Sequence, residues 1–117
     1  MDEFAGAVLV AFLHLNCDGC EGFWRGFRDT SRAELPAGTS VAIVTKGPAS
    51  VAPREIGRAS VGISHIPVIM SDAAWTEYRV LGYPFFVLVD PTTRTVIGET
   101  VGFGWSDVVS MIRAAGR

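Results

Sequence analysis

Cysteine is scarce in this sequence: Cys17 and Cys20 are the only two, with Asp18 and Gly19 between them. A structural cross-link gains most by closing a long loop, and this pair would close almost none. A disulfide-stapled framework is therefore excluded, and the pair is better explained by chemistry. No cluster of lysine or arginine occurs either. Ten basic residues stand against twelve acidic ones, for a net charge of -2, so nothing suggests a nucleic-acid surface. No repeat or low-complexity segment is present. The apolar stretch from Ala5 to Leu15 is interrupted by His14 and is far too short to span a bilayer as a helix. It reads as a buried strand rather than a secretory signal, since Asp2 and Glu3 stand in place of the positive n-region and no basic residue precedes Arg25. The chain opens abruptly on this stretch, and the expectation is an excised domain with an added Met.

What is present is ordinary for a folded protein. The 117 residues fit a single domain, 1–117, long enough to build a core without staples. The apolar fraction is 49% and the charged fraction 19%, both globular values. Ala7 to Leu15 is a short apolar run, continuous as far as His14, which predicts a central strand covered on both faces. Cys20, Phe23, Trp24 and Phe27 then fall at i, i+3, i+4 and i+7, the stripe of an amphipathic helix. Gly22 and Gly26 should each weaken that helix by roughly 1 kcal/mol relative to Ala.

Further along, Ser40–Thr45 predicts a second buried strand, and the region after Pro53 a short helix reaching Ala59. Ile66–Met70 predicts a third strand, and Ser71-Asp72 can cap a helix from Ala73 to Tyr78. Phe85–Val89 and Thr95–Val101 flank the turn Asp90-Pro91-Thr92-Thr93 as a hairpin. Ser106 can cap a last helix whose apolar face uses Val108, Val109 and Ile112. Alternation early and a hairpin late predict an α/β fold: a mixed sheet with helices on both faces.

Cys17-Asp18-Gly19-Cys20 sits between the first strand and the first helix. Thiol–disulfide exchange needs a thiolate, and a free cysteine is mostly protonated at neutral pH. A helix N-terminus favours the anion through its free N–H groups and its dipole. Cys17, at the junction, is the candidate exposed nucleophile. Cys20, one turn on and on the apolar stripe, is the candidate buried resolving thiol.

The segment VLVAFLHLNCDGC resembles the strand and active-site segment of thioredoxins. The downstream segment Tyr78-Arg79-Val80-Leu81-Gly82-Tyr83-Pro84, FFVLV, Asp90 and TVIGE resembles the proline loop and hairpin of TlpA/ResA-like thioredoxins and peroxiredoxins. Pro67 to Asp72 is similar to the insertion of the TlpA-like group. The resemblance implies a thioredoxin-like fold and a thiol–disulfide oxidoreductase. It implies a cis peptide before Pro84, facing the cysteines, with the backbone at Tyr83 pairing to an extended substrate segment. The partners implied are protein thiols or disulfides and an upstream redox donor or acceptor. No organic cofactor is implied, because the electrons pass through the cysteines. The compartment stays open between the cytoplasm and an extracytoplasmic domain of a larger exported protein.

The sequence departs from the family at several positions. Asn16 replaces the tryptophan before the first cysteine, and Ala11 replaces a buried acid that assists proton transfer from the resolving thiol. Glu99 could supply a carboxylate, although solvation is its simpler role. Asp18 and Glu21 suit a helix start but disfavour a neighbouring thiolate, so Cys17 should be less acidic than in strongly oxidising relatives. Three alternatives remain open. His14 and His65 could join the cysteines as a zinc or copper site, though each histidine stands alone in sequence. The domain could be a redox-inactive docking module. A peroxidase would need a Thr that His14-Leu15-Asn16-Cys17 lacks. Among the tryptophans, Trp24 is expected in the core and Trp75 and Trp105 partly exposed. Trp75, Tyr83 and Phe85 could form an aromatic groove.

Overall fold

The structure is a computed structural model that describes residues 6–15, 17, 19–28, 35–36, 38–63, 66–102 and 104–116. The run after Ala7 forms β1 (Val8–Phe12), shorter than the apolar stretch that contains it. Leu13 lies just beyond the strand and is fully buried, its N–H donating to the Val44 carbonyl of the next strand at 3.2 Å. Then come α1 (Cys20–Arg28), β2 (Ser40–Thr45), α2 (Pro53–Ala59), β3 (Val68–Met70) and α3 (Asp72–Glu77). The hairpin of β4 (Phe85–Asp90) and β5 (Thr95–Val101) and the helix α4 (Trp105–Ala115) complete the order.

The five strands form one sheet in the order β3-β2-β1-β4-β5. β1, β2 and β3 run parallel, and β4 pairs antiparallel with both β1 and β5. β1 is thus central, as its unbroken apolar run requires. Successive strand residues point to opposite faces, and the core divides accordingly. On one face Leu9, Ala11, Ile43, Phe86 and Leu88 pack with Phe23, Trp24 and Phe27 of α1 and Val108 and Ile112 of α4. On the other, Phe12, Val44 and Val87 pack with Trp75 of α3. Each large side chain so buried stabilises the fold by about 1.5–3 kcal/mol.

Three local expectations are corrected. Trp75 is 3% exposed, because Phe12 meets it edge-on at 5.6 Å and Tyr83 folds across it at 5.8 Å. The last helix starts at Trp105 without a side-chain cap, and Ser106 lies inside it. Packing sets that start: the Trp105 indole stands edge-on to Phe23 and Phe27, at 4.9 and 5.1 Å between ring centroids. Gly26 is a contact rather than a mere weak point, since a Cβ there would lie 2.7 Å from the Trp105 ring. Ser71 does cap α3, its hydroxyl accepting from the Ala74 N–H at 3.1 Å, but the helix runs one residue earlier than expected.

Candidate active site

The two cysteines lie where β1 hands over to α1. Cys17 and Cys20 are joined by a disulfide, with Cα atoms 5.2 Å apart. Cys20 is the first residue of α1 and is fully buried, whereas Cys17 is only partly so. The Cys20 N–H donates to the Cys17 carbonyl at 3.1 Å and closes the turn. The peptide of His14 braces the inner sulfur: its N–H donates to Cys20 Sγ at 3.3 Å, and its carbonyl accepts from Trp24 Nε1 at 3.3 Å.

Tyr83 and Pro84 come to the same place from the loop before β4. The Tyr83–Pro84 peptide is cis. Pro84 is buried against the cysteine turn, so close that a Cβ on Gly19 would lie 3.1 Å from its Cδ. The Pro84 carbonyl accepts from the Gly102 N–H at 3.0 Å, which ties the loop to the end of β5. Tyr83 is 46% exposed and stacks on His14, with centroids 5.2 Å apart and planes 21° from parallel. Of the aromatic groove expected from Trp75, Tyr83 and Phe85, Tyr83 is exposed and Phe85 half-buried. Trp75 is buried and Phe85 leans on Phe12 at 6.2 Å.

Ala11 is fully buried in the same cluster as Cys20, so that wall of the site is apolar. Glu99 is exposed and paired across the strands with Val87, which packs on the opposite face of the sheet from Cys20. Glu21 is engaged by Arg25 one helical turn on, at 3.2 Å, which blunts its effect on a thiolate. Asn16, Asp18 and His65 lie outside the described residues. Among the described residues no group of three or more His, Cys, Asp or Glu could hold a metal ion, and no helix is long and apolar enough to cross a membrane.

Sequence reasoning missed the two roles of the His14 peptide and the stacking of His14 on Tyr83. The brace depends on backbone atoms, and the stack joins segments far apart in the chain. Neither leaves a sequence signal.

No protein-family model matches the chain, and no curated protein does. Solved structures do resemble it. A thioredoxin-like protein from Aeropyrum pernix superposes with a TM-score of 0.73 at 12% identity, over 95% of this chain and 78% of that one. A putative thiol:disulfide interchange protein DsbE from Chlorobium tepidum gives 0.72 at 20% identity, over 98% and 83%. The exposed lipoprotein thioredoxin Etrx1 of Streptococcus pneumoniae gives 0.70 at 15%, over 96% and 87%. With its mixed five-stranded sheet, its flanking helices and a Cys17–Cys20 disulfide at the mouth of the first helix, the chain has the thioredoxin-like fold.

Proposed function

We propose that the protein is a thiol–disulfide oxidoreductase acting on protein thiols or disulfides. One observation carries the reading: the disulfide is asymmetric, with Cys17 partly open at the helix mouth and Cys20 buried as its first residue. In the reducing direction the Cys17 thiolate attacks a substrate disulfide. A mixed disulfide forms and one substrate thiolate leaves. The Cys20 thiolate then attacks Cys17 Sγ, restoring the Cys17–Cys20 bond and releasing the second substrate thiol. The oxidising direction is the reverse, with two electrons passing from the substrate dithiol to the pair.

The chain's other residues support these steps. The His14 N–H, already aimed at Cys20 Sγ, stabilises negative charge there when the disulfide opens. With Ala11 in place of a carboxylate, that N–H is a polar group directed at the inner sulfur, and proton release from Cys20 falls to water or the departing substrate. Tyr83 and Pro84 form the wall along which a substrate segment would lie extended. The relatives' names, a thiol:disulfide interchange protein and thioredoxins, agree with this chemistry.

The test is equilibration with glutathione or dithiothreitol, with the oxidised fraction read by mass spectrometry. A reversible two-electron couple between about -120 and -270 mV is expected, the span of thioredoxin-fold exchangers. Values near the low end indicate a reductant and near the high end an oxidant. A pair that forms no disulfide at any poise would overturn the proposal.

A further inference from the structure

Beside the cysteines lies a second feature that the exchange chemistry does not use. β1 and β2 run parallel, and both end at the site: Phe12 pairs with Val44, after which one strand leads to Cys17 and the other to Lys46. Ligands of α/β sheets collect at such carboxyl ends. Here a groove of about 390 Å³ is lined by Lys46, Trp75, Thr76, Arg79, Val80 and Leu81. Among the described residues its wall carries two cations, Lys46 and Arg79, and no carboxylate, on a protein whose net charge is -2. Lys46 Nζ sits 4.9 Å from the centre of the Trp75 ring, which holds the ammonium at the groove. Leu81 is 96% exposed, a large apolar side chain with no partner to cover it. Arg79 has a φ of +55°, in the left-handed region that favours glycine.

The groove adjoins the reactive centre. Trp75 meets Tyr83 edge-on at 5.8 Å, and Tyr83 leads directly into Pro84, which touches the cysteine turn. A substrate strand lying along Tyr83 would therefore pass its flanking residues over Leu81, Arg79 and Lys46.

Resting on the oxidoreductase reading, we infer that this groove selects substrates: the protein prefers a reacting cysteine flanked by apolar and acidic residues, the apolar side chain on Leu81 and the carboxylate between Lys46 and Arg79. The surface thus sets which protein is recognised, while the disulfide sets what is done to it.

The experiment uses the oxidised full chain and two reduced peptides, Gly-Asp-Leu-Cys-Leu-Asp-Gly and its counterpart with Lys for Asp. Both are symmetric about the cysteine, so chain direction does not matter. Each exchange rate is divided by the same peptide's rate with hydroxyethyl disulfide, which removes the effect of flanking charge on the thiol itself. The corrected rate for the acidic peptide should exceed that of the basic one roughly tenfold at low salt, and the ratio should shrink as screening increases. The variant K46E/R79E should invert the ratio, and any general change in reactivity cancels within it. R79G suits the left-handed backbone, so folding is not at stake, and it should lower the ratio severalfold. Equal corrected rates in the native chain would overturn the groove assignment, and so would a ratio that K46E/R79E leaves unchanged. Dithiothreitol separates this from failure of the underlying reading: if it reduces the native disulfide while the peptides are not distinguished, only the selectivity falls. If no thiol exchanges with Cys17–Cys20, both readings fall.

Discussion

Gly19 and Pro84 meet closely across the mouth of the site: a Cβ on Gly19 would stand 3.1 Å from Pro84 Cδ and 3.3 Å from Cγ, so a side chain there requires the proline to give way slightly. The contact sets the distance between the cysteine turn and the loop that carries Tyr83. Gly19→Val should force the two apart and slow exchange with peptide thiols about tenfold or more, because small misplacements of reacting groups are costly. Quenched-flow mass spectrometry measures it. An unchanged rate would show that the loop yields without consequence.

The two cysteines should fail differently. Cys17→Ser removes the nucleophile and should reduce exchange to background. Cys20→Ser keeps an attacking thiol but nothing to resolve its product, so a mixed disulfide with substrate should accumulate on non-reducing mass analysis. Accumulation in Cys17→Ser instead would reverse the assigned roles.

Gly22 and Gly26 occupy the same helix but should respond oppositely to alanine. Among the described residues, and its own helix backbone and chain neighbours aside, no atom lies within 4 Å of a Cβ at Gly22, so Gly22→Ala should stabilise by up to about 1 kcal/mol. Gly26→Ala drives a methyl into the Trp105 ring and should destabilise by about 1–3 kcal/mol. Urea midpoints read both. Adding Trp105→Leu to Gly26→Ala should recover part of the loss, a coupling expected only of residues in contact.

Hydrogen bonds hold the start of α3 in place beside the groove, among them that from the Ser71 N–H to the Thr45 carbonyl at 2.9 Å. The Ser71 hydroxyl caps the helix, and Asp72 Oδ1 accepts from the Gly47 N–H at 3.0 Å, tying α3 to the loop after Lys46. Ser71→Ala should cost about 1 kcal/mol in chemical denaturation. Asp72→Ala should cost about the same and weaken the acidic-peptide preference, since it frees the Lys46 loop. A change in stability with the preference intact would separate the loop from recognition.

Much of this architecture could be read from residue patterns because its signals are local. The four apolar positions of α1 are all buried, and the hairpin of β4 and β5 follows its turn residues. Contacts between distant segments were not legible. Trp75 reads in sequence as partly exposed, whereas Phe12 and Tyr83 enclose it. Ser106 reads as a cap, whereas the docking of Trp105 on α1 sets the helix start. Gly26 reads in sequence as a weak helix former, and only the approach of Trp105 explains why no side chain belongs there. The site divides the same way. The CxxC is a contiguous motif, whereas Lys46, Arg79 and Leu81 have no shared spacing and meet only through the sheet.

Trp24 gives the protein a means of reporting its own state. It is buried on α1 one turn past Cys20, and its indole shares the His14 peptide with the Cys20 sulfur. A disulfide accepts an electron from an excited indole, and a pair of thiols does so poorly. Emission should therefore be dim in the oxidised protein and brighten on reduction, with Trp24→Phe abolishing most of the change. Native fluorescence would then follow each turnover without any label.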